Sequence, residues 1–297
     1  MKELYKVAGH CFSIEMRDDS PLWARMDNYT PFLVNGNMDM TALPPVFEMT
    51  VCEGKPEFKK TPVHIDDCQE EDMPRLDLYH DEQGDWVIEM APVQKAPICG
   101  WLSMSADFCR GKLHIEKPDR LGLFAVNNAA MVMYAFSTAG LKTLEMHSSV
   151  VCKDGRAYMF LGKSGTGKST HSNLWLKYIP GSELMNDDNP IIRVQNDGMV
   201  MVYGSPWSGK TRCYRNVEAP VGALVMLRQC KENKIVRQSV IEAYASIFMS
   251  CSGYKEDSDM GDELHETIAA VLEKVPCWLL DCLPDEAAAK LSYETIK

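Results

Sequence analysis

A mixed α/β (α+β) chain in two parts is what this sequence of 297 residues predicts. Three observations carry the prediction. Residues 1–118 hold short β-branched and aromatic runs bounded by Gly, Pro, Asp or Asn, the pattern of a β-rich region. Residues 121–139 carry apolar side chains at helical spacing. From Thr143 onward, strand-like runs alternate with helix-like ones around a glycine-rich nine-residue segment.

In the first part, strands are expected at Val46–Val51, Arg75–Tyr79, Trp86–Met90 and Lys112–Ile115, with residues 79–86 a hairpin connection. Nothing here has catalytic spacing. His10, His64, His80 and His114 stand alone and read as structural or surface residues. Leu121, Phe124, Ala125, Met131, Val132, Tyr134, Ala135 and Phe136 give the next segment a broad apolar face, and Gly140 can end it. The domain boundary is placed before this helix: 1–118 as a β-rich region of unassigned role, 119–297 as the second domain.

In the second part, Leu144–Cys152 and Ala157–Leu161 read as paired strands around the turn Lys153-Asp154-Gly155-Arg156. A helix is expected over 169–178. Strands follow at 183–186, 191–194, 199–203, 221–227 and 278–280, with helices at 239–251, 262–274 and 284–291. No repeat or low-complexity segment interrupts them.

Composition narrows the function classes. The chain is 45% hydrophobic and 25% charged, with a net charge of −11. Acidic runs at 66–72 and 256–263 read as solvated, and no basic stripe exists, so nucleic-acid binding is disfavoured. No apolar stretch reaches the roughly 18 residues of a membrane span, and the first residues lack the apolar stretch of a signal peptide. A cytoplasmic protein without a membrane partner is the expectation, with self-association left open. Eleven cysteines without a C-x-x-C pair read as reduced thiols.

The chemistry is concentrated after residue 160. Gly162-Lys163-Ser164-Gly165-Thr166-Gly167-Lys168-Ser169-Thr170 fits G-x-x-x-x-G-K-[ST]. Glycines there turn backbone N–H groups inward around an oligophosphate, Lys168 can reach its β- and γ-phosphates, and Ser169 can take a Mg²⁺ position. The strand before and helix after are the right context, and the helix N-terminus adds positive potential. Gly162, Ser164, Gly165, Thr166, Gly167, Lys168, Ser169 and Thr170 are therefore the nucleotide-binding candidates. About 20 residues on, Asp187-Asp188 ends a strand. One carboxylate can hold Mg²⁺ with Ser169, and the other can accept a proton from an attacking hydroxyl. The pair leaves open which does which. The loop at 204–212 carries Lys210 and Arg212, with Arg215 beyond, as candidates for neutralising a transferring phosphoryl group. His147 opens the strand pair that leads to the loop.

Together these residues resemble the catalytic domain of HPr kinase/phosphorylase and its relatives, including the nucleotide domain of phosphoenolpyruvate carboxykinase, over about residues 143–290. His147 precedes Gly162 by fifteen residues, as the family's histidine precedes its loop, and Leu184-Met185-Asn186-Asp187-Asp188 looks like the family's paired aspartates. Thr170 stands where the family's protein kinases usually have Glu, and their basic substrate segment is not matched. The resemblance implies a mixed or antiparallel sheet flanked by helices, ATP and Mg²⁺ as cofactors, and a catalytic role for His147. An ATP-dependent phosphotransferase acting on a small hydroxyl acceptor is the expected activity. The alternatives are carboxykinase-type chemistry on a 2-oxo acid and a nucleotide-binding regulatory protein without efficient turnover.

Overall fold

Strand, turn and helix assignments come from a computed structural model, which describes residues 1–34, 44–66, 73–209 and 211–297. The acidic run at 66–72 lies outside the described residues beyond Asp66. The chain forms two compact units, Met1–Ser137 and Thr138–Lys297.

The first unit is built on an eight-stranded sheet of β1 (Lys2–Val7), β2 (His10–Glu15), β3 (Phe47–Glu53), β4 (Lys60–His64), β5 (Arg75–Asp81), β6 (Trp86–Ala91), β7 (Gly100–Met104) and β8 (Arg110–Ile115). Its order is β1-β2-β3-β8-β7-β6-β5-β4. β1 and β2 join through Ala8-Gly9, both at positive φ, and Val7 pairs with His10. That two-residue turn twists in the sense the strands need. The expected hairpin between β5 and β6 is present, with His80 paired to Trp86.

α1 (Arg120–Thr138) lies on this sheet. Asp119 accepts from the N–H groups of Leu121 and Gly122 at its start. A Cβ on Gly100 would meet Ala125 at 2.6 Å, and one on Gly111 would meet the Met133 sulfur at 2.3 Å. Only glycine allows the helix that close. The Tyr134 hydroxyl donates to the Val7 carbonyl at 2.9 Å. By length and composition the segment Arg120–Leu141 passes as a membrane span, contrary to the sequence reading that no stretch does. Its seat on the sheet accounts for the apolarity. The helix therefore belongs to the first unit, and the boundary expected at 118/119 falls at 137/138.

The second unit comprises β9 (Thr143–Glu145), β10 (Ser148–Lys153), β11 (Arg156–Leu161), α2 (Lys168–Tyr178), β12 (Glu183–Asp188), β13 (Ile191–Val194), β14 (Val200–Tyr203), β15 (Glu218–Gln229), β16 (Lys234–Arg237), α3 (Val240–Ser250), α4 (Ser258–Lys274), β17 (Cys277–Cys282) and α5 (Glu286–Ile296). The strand order is β12-β10-β11-β15-β14-β13-β9, with β17 beside β15 and β16 beside β17. β15 runs parallel to β11 and β17, and the other pairs are antiparallel. The chain is thus a mixed α/β protein with mixed sheets flanked by helices. Trp175, Phe160, Tyr158 and Val225 form part of the core beneath α2.

The run Leu144–Cys152, read from sequence as one strand, is two. Met146 donates its N–H to Pro190 at 3.0 Å, and His147 donates to Ser250 at 2.6 Å. These bonds break the ladder at Met146-His147, so β9 joins β13 while β10 joins β11 and β12.

Candidate functional site

The glycine-rich run connects β11 to α2 as expected. Gly162, Gly165 and Gly167 have φ of 149°, 74° and 107°, conformations that suit glycine and few other residues. Thr166 folds back so that its side chain lies 3.1 Å from where a Gly162 Cβ would be. Ser164, Ser169 and Thr170 are exposed, and Lys168 is buried. The helix ends are informative. α3, α4 and α5 carry side-chain N-caps from Ser239, Asp257 and Asp285, whereas α2 starts at Gly167 without one. No side chain of its cap position satisfies the leading amides of α2, which is the state of a helix end suited to an anion.

Lys168 sits at the centre of a polar chain. Its ammonium donates to the Gly162 carbonyl at 2.9 Å and to Nε2 of His147 at 2.8 Å. Nδ1 of His147 lies 3.0 Å from Oδ1 of Asp188. An ammonium only donates, so Nε2 accepts and Nδ1–H donates to Asp188. Burial pulls the Lys168 ammonium down from its ordinary range, opposed by Asp188 and Asp187.

The aspartate pair is braced from behind. Asn186 donates its amide to the carbonyl of Trp207 at 3.0 Å and to the Ser205 hydroxyl at 3.2 Å. The Asp187 carbonyl accepts from the Gly209 N–H at 2.7 Å and the Ser208 hydroxyl at 3.1 Å. A Cβ on Gly209 would stand 3.2 Å from the Asp188 carboxylate. Asp188 itself is held at φ 147°, a conformation that costs a non-glycine residue on the order of 1–3 kcal/mol and is found where surroundings over-determine the backbone.

The loop after β14 divides into two parts. Its first half supports the aspartates. Arg212 is exposed and makes no hydrogen bond or ion pair among the described residues, and Lys210 lies outside the described residues. Arg215 does not face the glycine-rich loop: its guanidinium donates to the Leu184 carbonyl at 2.6 Å and to Glu183 at 2.9 Å, fastening β12.

Several site residues had no sequence signal. Gln229, at the end of β15, donates to the carbonyls of Gly165 and Thr166 at 3.1 and 3.3 Å and so holds the tip of the glycine-rich loop. A cavity of about 530 Å³ opens beside that tip, lined by Thr166, Thr170, Leu174, Gln229, Leu283 and Pro284 among others. His171, one turn into α2, is buried, with Nε2 3.1 Å from the Ser292 hydroxyl, and burial pulls its ring down to about 4. Glu145 is buried, and neither carboxylate oxygen has a hydrogen-bond partner among the described residues. Desolvation first and the Asp188 charge second raise it well above the usual carboxylate range.

No protein-family model matches the chain, and no curated protein matches it. Among solved structures, the HPr(Ser) kinase/phosphatase from Coxiella burnetii matches part of the chain weakly. The match covers 51% of this chain and 95% of that one, at 11% identity and a TM-score of 0.31.

Proposed function

We propose that the chain is an ATP- and Mg²⁺-dependent phosphotransferase that acts on a hydroxyl, preferably of a small molecule. The observation that carries the reading is the chain Asp188–His147–Lys168 ending on the glycine-rich loop. A phosphate-binding turn alone would need neither a histidine nor a strained aspartate beside its lysine.

In this reading the amides of residues 162–168 and the uncapped start of α2 bind the β- and γ-phosphates. The nucleoside occupies the cavity beside Thr170 and Leu174. Lys168 leaves His147 for the phosphates, where its positive charge offsets theirs. That departure frees Nε2 of His147, whose Nδ1–H stays on Asp188. The free Nε2 faces the transferring group and takes the proton of the acceptor hydroxyl as the new O–P bond forms and the bond to the leaving ADP oxygen breaks.

The donors present suit Mg²⁺ in the way nucleotide sites do. Among the described residues no three His, Cys, Asp or Glu side chains form a ready cage. Magnesium at such sites takes one or two carboxylates, waters and substrate phosphates. Ser169 and Asp187 would hold it, leaving Asp188 to His147. When bound, the ion neutralises charge on the β- and γ-phosphate oxygens.

The test is thermal-shift titration with Mg-ATP, followed by labelled ATP with pooled hydroxyl metabolites, purified HPr, or oxaloacetate. Mg-ATP stabilisation with transfer to a small hydroxyl compound is expected. Rapid phosphorylation of HPr would overturn the acceptor preference, and oxaloacetate-dependent CO₂ release would replace the kinase reading by the carboxykinase one. Equal stabilisation of Lys168→Ala would remove the site assignment.

A further inference from the structure

α3 presents an apolar face away from the core of its unit. Its inner positions Ala243, Ser246, Ile247 and Ser250 are buried, while Val240, Ile241 and Met249 are 73%, 81% and 64% exposed. Isolated exposed apolar residues are ordinary, but a contiguous strip of them along a helix marks an interaction surface. Ile241, Tyr244 and Phe248, at i, i+3 and i+7, share one side of α3, with Val240 and Met249 at its two edges; the rings of Tyr244 and Phe248 are half-buried and stacked at 5.8 Å. Phe248 in turn stacks on His265 of α4 at 5.4 Å. The middle of the strip is therefore fixed by ring packing before any partner arrives, which lowers the ordering cost of binding.

The surroundings of the strip select the occupant. Glu242 on α3, Glu256 before α4, and Asp259, Asp262 and Glu266 on α4 are exposed. Lys255 places its ammonium 4.9 Å from the Phe248 ring centre. A second copy placed face to face would set carboxylates against carboxylates, in a chain already at −11. Nucleic acid and an anionic membrane surface would be repelled for the same reason. A cationic segment with its own apolar stripe meets both requirements: aliphatic side chains on Ile241, Tyr244 and Phe248, and Lys or Arg against the flanking carboxylates.

We propose that the α3–α4 face docks a basic amphipathic helical segment of a partner protein. The face abuts the candidate site. Ser250, the last residue of α3, accepts the backbone N–H of His147, and Cys251 bridges Met146. An occupant of this face thus lies along a helix on the order of 16 Å long, whose last residue bonds His147. Docking here rests on the surface itself and does not depend on the phosphotransfer reading.

The probe is a fluorescent synthetic Leu/Lys amphipathic helix added to the full chain, followed by anisotropy. Its controls are an isomer with the leucines scattered around the helix, a Leu/Glu counterpart, and phosphatidylserine vesicles. The Leu/Lys helix should bind saturably, with the scattered isomer and Ile241→Asp each weaker by at least about tenfold. Mg-ATP thermal shifts of the variant should equal those of wild type, which separates loss of docking from loss of the nucleotide site. The double charge reversal Asp259→Lys/Asp262→Lys, on exposed positions, should weaken the Leu/Lys helix and strengthen the Leu/Glu one. Equal binding of the scattered isomer, no effect of either variant, vesicle binding, or a dimer dissolved by Ile241→Asp would each overturn the proposal.

Discussion

His171→Phe should flatten the acid side of the stability curve. The His171 ring is buried beside Phe160 at 4.7 Å and is pulled by burial from 6.5 to about 4. In the unfolded chain it regains the ordinary value. The fold therefore holds a neutral ring that the unfolded state protonates, so this contribution is complete above pH 6.5 and is lost as pH falls toward 4. A tenfold difference in proton affinity between the two states is worth about 1.4 kcal/mol, giving about 3 kcal/mol over the whole window and about 2 kcal/mol between pH 7.5 and pH 5. Glu145 acts with the opposite sign. Its carboxyl is raised in the fold, so its contribution is present at low pH and lost as pH rises through the raised value. Both proteins carry Glu145, so the difference between them isolates His171. Urea denaturation of wild type and His171→Phe at several pH values reads it. Phenylalanine costs a constant offset where the Ser292 contact is lost, but the gap between the two curves should shrink by about 2 kcal/mol on going from pH 7.5 to pH 5. Parallel curves would show that the ring titrates normally in the fold.

Lys168→Ala should abolish Mg-ATP stabilisation that in wild type reaches about 2.7 kcal/mol at a ligand concentration a hundredfold above Kd; thermal shift with saturating nucleotide measures it. Asp188→Asn should keep Mg-nucleotide binding and lose transfer by roughly 10²–10⁴-fold, because the amide no longer holds the His147 tautomer, whereas Asp187→Asn should lose the Mg²⁺-dependent part of binding; titrations with and without Mg²⁺ beside single-turnover assays separate the two. Gly167→Val should weaken nucleotide binding and destabilise the fold by a few kcal/mol, since φ of 107° is strained for a β-branched residue; denaturant unfolding and thermal shift check both halves.

The glycine-rich run is legible because its structure is local. Turn, glycines and lysine all lie within nine residues, between a strand and a helix that the flanking pattern also shows. The aspartate pair was legible for the same reason, as a polar doublet closing an apolar strand. Strands β1, β2, β4, β7 and β16 carry no such pattern. β1 and β2 alternate with charged or polar residues, β4 contains Pro62 and is mostly exposed, and β7 begins with Gly100, which the closeness of α1 explains only once the helix is in place. The boundary at 137/138 was hidden likewise, since nothing in the apolar face of α1 says which sheet it covers.

What sequence could not supply is the set of contacts made by residues far apart in the chain. Spacing marks His147 as a candidate, but its orientation depends on the break in the ladder, and the break depends on Pro190 and Ser250, the second more than a hundred residues away. Gln229 is an ordinary polar strand end until β15 places it beside Gly165. Basic residues mislead in the opposite direction. Arg215 was singled out because an acidic protein must bring positive charge to a nucleotide, yet it is spent on Glu183 and a strand carbonyl. In the proposed reading Lys168 supplies that charge from inside the motif, and the uncapped start of α2 adds to it. A phosphate site built from amides and one lysine needs little basic composition, so the net charge of −11 limits the partners at the surface without limiting the ligand in the loop.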